Sequence, residues 1–263
     1  MNEETIKLLQ QYAAQYETPE FVLDDPIQFP RRFTNVRDIE IAGFIAQWLA
    51  YGSRKAFIKV ANQLFETMAS YATLPYTFIS EGHYNQMRRD YPNTQRLYRF
   101  FTYGNFYDLC EGLACVYRIY NTLEDAVLYE ANRDKHNGRN IRYLAGLIDV
   151  FFWQQGKAIK GVPKDWSSAC KRLNMFLRWM VRRDSPVDLG IWTRIDPADL
   201  IIPLDTHVHR IASQLDLFYP AERGLNAALQ ITFNLRKIFP NDPCKGDFAL
   251  FGYGVNHKIA NEK

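Results

Sequence analysis

The chain has 263 residues, 47% of them hydrophobic and 23% charged, with a formal net charge of +3. That length suits one large domain or two small ones with a substantial core. The mild basicity permits an anionic partner but excludes histone-like character, and no apolar run of about 18 residues predicts a membrane span.

Residues 3–17 place Ile6, Leu9, Tyr12, Ala13 and Tyr16 at steps of three and four, which predicts an amphipathic helix. Pro19, Pro26 and Pro30 interrupt the pattern over 18–35. Asn35 then reads as an N-cap, with Asp38 bringing negative charge to the first turn. From Val36 to Tyr51 the segment is apolar on most sides, as a central buried helix would be. Gly52 supplies a left-handed stop, and Ser53 is placed to cap a helix running to Tyr71.

Further helices are predicted from Pro75 and over 94–103, 105–120, 122–132 and 140–154, with a polar, basic connection at 83–93. No alternating strand pattern and no fixed-period repeat is visible. Gly156 to Pro163 reads as a loop, and Asp165 as the cap of a long helix over Trp166–Arg183. On that helix Lys171, Asn174, Arg178 and Arg182 form a polar stripe that should face a cleft or solvent. A long loop follows to Ile202. Asp205 caps a helix to Leu215, and 221–238 and 245–259 complete an all-α fold of roughly ten helices.

Cys110, Cys115, Cys170 and Cys244 show neither CxxC pairing nor metal-ligand spacing, and the start Met-Asn-Glu-Glu-Thr-Ile is acidic rather than a secretory leader. Reduced, mostly buried thiols in a cytoplasmic protein are expected. His207 and His209 invite a metal reading, but residues two apart on a helix diverge, and a third and fourth ligand are missing. No metal or cofactor is therefore expected.

Two elements carry a sharper signal. Lys171-Arg-Leu-Asn174-Met-Phe-Leu177 and Leu204-Asp205-Thr206-His207-Val208-His209-Arg210 occur in order, separated by a long loop. They resemble the lysine-bearing segment and the Val-Asp-Thr-His-Ile-x-Arg element of the helix-hairpin-helix DNA glycosylase superfamily, which includes endonuclease III and the 8-oxoguanine glycosylases. The early stretch Ile45–Arg54 and the closing Ala249-Leu-Phe-Gly252 are more loosely similar. The likeness spans most of 36–255, and the chain also resembles an uncharacterised bacterial family related to that superfamily. Two features depart from the superfamily. Asp165-Trp166-Ser167-Ser168-Ala169 stands where its hairpin has two glycines, and no cysteine follows Cys244, so a four-cysteine cluster loop is absent.

The resemblance implies two helical lobes, 36–183 and 1–35 with 184–263, and an active cleft between them. It also implies base excision from double-stranded DNA carrying a damaged base, an oxidised purine being the candidate. Lys171 would be the Schiff-base nucleophile of an AP lyase, and Asp205 would stabilise charge on the sugar. Tyr51 would fill the gap left by a flipped base. Ser53, Arg54, Lys55, Lys164, Arg178, Arg182 and His207 would contact DNA, with Ser167 and Ser168 replacing the hairpin's backbone donors. The rival reading is a helical module that binds nucleic acid or a protein without chemistry. A hydrolase using Asp205, His207 and His209 on a metal is a more distant third.

Overall fold

The computed structural model describes residues 2–133, 141–153 and 158–257. The helix ends predicted at 140, 154 and 259, the start of the 156–163 loop and the Phe152 side chain lie outside the described residues. Among the described residues the framework is twelve α-helices and one two-stranded sheet, so the class is all-α. The chain divides into two compact units, 24–165 and 1–23 with 166–263.

The 24–165 unit contains α2 (Val36–Leu49), α3 (Arg54–Tyr71), α4 (Pro75–Ser80), α5 (Tyr84–Asp90), β1 (Arg96–Tyr98), β2 (Phe101–Thr102), α6 (Tyr103–Ile119), α7 (Leu123–Ala131) and α8 (Arg142–Trp153). Helix α2 is its axis. Asn35 caps it through a side-chain oxygen that accepts from Arg37 N at 3.0 Å, and every residue from Asp38 to Leu49 is buried. Its two carboxylates are used away from their own helix. Asp38 accepts from Tyr76 N at 2.7 Å, at the start of α4. Glu40 is fully buried and accepts from Tyr117 Oη at 2.8 Å and from Leu123 N and Glu124 N at 2.9 and 3.2 Å. Those amides are otherwise unsatisfied donors at the start of α7, so one buried charge terminates a helix and is itself solvated by it. Burial and the neighbouring Glu40 push the Tyr117 hydroxyl well above its usual range.

Two segments here differ from the sequence expectation. Residues 83–93 contain a helix, α5, whose Tyr84 and Met87 are buried one turn apart. The helix expected over 94–103 is instead the β1–β2 hairpin, antiparallel, pairing Arg96 with Thr102 and Tyr98 with Phe101. Phe101 explains the outcome. Its ring is fully buried, 4.1 Å from the Trp48 ring, and a hairpin can send Phe101 inward at the start of β2 while Phe100 stays out in the turn.

The second unit contains α1 (Glu3–Tyr16), α9 (Lys171–Val181), α10 (Thr206–Gln214), α11 (Gly224–Arg236) and α12 (Lys245–Asn256). Helices α1 and α10 both pack on α12. Helix α9 begins five residues later than the expected Trp166. Cys170 takes a left-handed conformation (φ 46°), and the Ser168 hydroxyl accepts from Cys170 N at 3.3 Å. A short side-chain acceptor of this kind competes with the helical hydrogen-bond ladder. The loop after α9 closes its other end. Leu189 N and Trp192 N donate to the carbonyls of Trp179 and Met180, each at 2.8 Å, and Trp192 packs edge-on to Phe176. Helix α9 therefore belongs with the segment carrying Asp205 rather than with a 36–183 bundle.

Candidate active site

Lys171 is the first residue of α9, and Asp205 is the N-cap of α10. Their separation is 3.7 Å from Lys171 Nζ to Asp205 Oδ2, with the two side chains 38% and 40% exposed. The two carboxylate oxygens divide their work. Oδ1 accepts from Val208 N at 2.8 Å and closes the first turn of α10, which leaves Oδ2 aimed at the amine. Both groups are therefore fixed by helix termini yet open to a ligand.

Asn174 lies one turn along α9 and is buried. Its amide nitrogen donates to Ala169 O at 3.0 Å, which ties down the non-helical stretch just before Lys171. Its Oδ1 is buried and has no partner among the described residues.

Asp247, in the first turn of α12, was not foreseen. Its side chain is only 18% exposed and is ion-paired with Arg178. Burial raises its pKa from 3.8 to about 6; Arg178 opposes the shift, nearby Asp205 adds to it and Lys171 lessens it. Asp247 thus belongs to the electrostatic surroundings of the Lys171–Asp205 pair. A lone Asp in a helix's first turn usually serves the dipole, so nothing local in the sequence marks it out.

Several predicted DNA contacts are corrected by the structure. Arg178 and Arg182 are each 2% exposed. Arg178 pairs with Asp188 and Asp247. Arg182 Nε donates to both oxygens of Asp242 at 2.9 Å and Nη2 to Glu17 at 2.7 Å, while Nη1 holds Asp188. Burial works against the Arg182 charge, but Asp188, Asp242 and Glu17 outweigh it and raise its pKa well above the usual range. These guanidiniums are interior counter-charges, out of reach of a phosphate. The Arg178 and Arg182 end of the polar stripe therefore faces carboxylates of its own unit, whereas Lys171 stays part-exposed.

His207 is also turned inward. Its Nε2 is buried without a hydrogen-bond partner among the described residues, and a Cβ placed on Gly254 of α12 would lie 2.6 Å from that atom. Gly254 therefore makes the room the imidazole occupies. His209 points elsewhere, its ring 4.7 Å from that of Phe218, so the two imidazoles do not converge. Among the described residues no group of three or more His, Cys, Asp or Glu is arranged to hold a metal ion.

The other predicted contacts remain on the surface. Lys164, Ser167 and Ser168 are exposed, but the serines lie in the non-helical stretch before α9 rather than at its N-terminus. Arg54 and Lys55 are exposed in the first turn of α3, and Ser53 precedes them without making a side-chain cap bond. Tyr51 is half-buried against Phe100 and Phe101. All four cysteines are unbridged, with Cys110, Cys170 and Cys244 buried. Pockets lined by Phe65 and Met68, and by Phe218 and Phe233, do not include Lys171 or Asp205.

Residues 25–256 match a family described as a protein of unknown function, DUF2400. The chain belongs to the DUF2400 family. No curated protein and no solved structure matches it. Within this DUF2400 chain, Lys171, Asp205 and Asp247 all fall inside the matched span. No described helix is long and apolar enough to cross a membrane.

Proposed function

We propose that the protein is a DNA base-excision glycosylase with AP-lyase activity, acting through Lys171. The observation that carries this reading is the Lys171–Asp205 pair, 3.7 Å apart and part-exposed, with the carboxylate oriented by its own helix cap. The helix-hairpin-helix glycosylase-like architecture, with the active cleft it implies, belongs to the same proposal.

In this mechanism the Lys171 amine, once neutral, attacks C1′ of the damaged nucleotide as the glycosidic bond breaks and the base departs with its electron pair. Asp205 offsets the positive charge that develops on the sugar and accepts a proton from the attacking amine. Opening of the sugar ring then breaks the C1′–O4′ bond, O4′ taking up a proton as a hydroxyl, and leaves an iminium ion joining C1′ to the Lys171 nitrogen. Removal of a proton from C2′ then expels the 3′ phosphate and cleaves the strand.

The test is borohydride trapping on duplexes carrying an oxidised purine or an abasic site. Reduction of the iminium should yield a covalent protein–DNA adduct with the wild-type chain and none with Lys171→Gln. An adduct of equal yield from the variant, or none from the wild type, would refute the lysine mechanism. Base release that needs Asp205 but not Lys171 would indicate a glycosylase without lyase activity. DNA binding that persists in both variants, with no base release from the wild type, would favour the non-catalytic module. The non-helical 166–170 stretch favours that rival, because it lacks the glycine hairpin that exposes backbone donors to phosphate.

A further inference from the structure

The β1–β2 hairpin ends in a two-residue tip, Arg99–Phe100. Arg99 has φ 50°, a left-handed conformation that ordinarily goes to Gly, Asn or Asp in such turns. Phe100 is 45% exposed although its neighbour Phe101 is fully buried. A tip built only to reverse the chain would place a glycine first and a polar residue second. Here both positions carry large side chains, at a conformational cost for Arg99.

The tip is also held rigidly. Arg96 Nε donates to Arg99 O at 2.8 Å. Lys160 Nζ donates to Phe100 O and lies 5.6 Å from the Phe100 ring centre. Tyr98 Oη donates to Tyr51 O at 2.7 Å, and the Tyr51 ring meets Phe100 edge-on at 4.9 Å. The Arg99 guanidinium lies over Gly52 (φ 73°), where any Cβ would collide with it. Arg54 and Lys55 begin α3 directly beyond Gly52 and Ser53. Five exposed cations thus lie on the hairpin or on the segments joined to it: Arg96 and Arg99 in the hairpin, Lys160 beside the Phe100 ring, and Arg54 and Lys55 just beyond the Gly52 that Arg99 covers. None of the five has a carboxylate partner within salt-bridge distance among the described residues.

We propose that this hairpin is a nucleic-acid contact surface on which Phe100 stacks against an unpaired base while these cations hold the flanking phosphates. Charged groups placed near a ring suit a polymer that alternates phosphates with flat aromatic bases. Arginines at three of the five positions suit the forked geometry of a phosphate. A membrane surface is a poorer match, because one exposed ring offers little apolar area to bury. The inference deepens the DNA reading above by naming a surface for bases that have left the stack, and it needs no chemistry at Lys171.

Fluorescence anisotropy of the full chain with a labelled single strand, a matched duplex and a duplex containing an abasic gap tests it. Single-stranded and gapped DNA should bind more tightly than matched duplex. Phe100→Ala should weaken single-strand binding about tenfold, and Phe100→Tyr should restore it to within about twofold, with folding checked by circular dichroism. Arg99→Gln should reduce the slope of log affinity against log salt by about 0.7 on a single strand. Binding that Phe100→Ala leaves unchanged would overturn the proposal. So would Phe100-dependent binding to phosphatidylserine vesicles with none to oligonucleotides. Phe100-dependent binding without a borohydride adduct would sink the lyase reading alone, whereas an adduct with Phe100-independent binding would sink this surface alone.

Discussion

Asp205 does two jobs with two oxygens, and replacing it in two ways separates them. Oδ1 caps α10 at 2.8 Å from Val208 N, and Oδ2 faces Lys171 Nζ at 3.7 Å. Asparagine keeps an oxygen for the cap and is about as good an N-cap as aspartate. Asp205→Asn should therefore lose only the ion pair. With about two-fifths of each side chain exposed, solvent screens that pair to roughly 0–1 kcal/mol. Asp205→Ala loses the cap as well, at about 1 kcal/mol, which lowers the melting temperature by a further 2–4 °C or so for a domain of this order of size. In the proposed chemical step both variants would lack the charge offered to the sugar, and loss of one preorganised electrostatic group typically slows chemistry by about 100–1,000-fold. The assays are thermal melts followed by circular dichroism and single-turnover base release. Equal melting temperatures for Asn and Ala would refute the capping assignment. An Asn variant that releases base at the wild-type rate would refute the electrostatic one.

Three further outcomes follow from the buried charges. Arg182→Met leaves Asp188 and Glu17 buried without their main counter-charge and should cost about 3–5 kcal/mol; a denaturant midpoint that moves by less than about 1 kcal/mol equivalent would contradict the network. For Asp247 the folded pKa of about 6 lies above the ordinary 3.8, so its contribution is fully present below 3.8 and is lost as pH rises through 6. The stability of the wild type relative to Asp247→Asn should accordingly fall between pH 4 and pH 7, by about 2–3 kcal/mol at most; parallel melts across that range would show that Asp247 does not titrate as described. Asp247 is electrostatically coupled to Lys171 and Asp205, so Asp247→Asn should shift the pH dependence of adduct formation, and superimposed profiles would separate Asp247 from the site.

Elements with strong local grammar were legible in the sequence. Asn35 and Asp205 mark helix starts by cap chemistry and stand where expected, before α2 and α10; Gly52 is left-handed as expected, but α2 already ends at Leu49 with Ala50 as its C-cap. The hairpin was not legible, because strands of three and two residues are too short to show alternation. Arg178 and Arg182 were misread for a different reason. Charges spaced three or four apart ordinarily mark a solvated face, whereas their partners Asp247, Asp242 and Glu17 lie 69, 60 and 165 residues away along the chain. The Lys171–Asp205 pair was visible only as two short motifs. Their meeting depends on the 182–205 loop, whose Leu189 and Trp192 amides bind it to the end of α9, and on Asp205 capping α10.

The proposed lyase stands or falls on whether the Lys171 amine forms the covalent bond. Mass spectrometry of the proteolysed borohydride adduct, made with an abasic duplex, tests it most directly. A reduced sugar adduct is expected on the peptide containing Lys171. An adduct confined to Lys160, Lys164 or the N-terminal amine would contradict it.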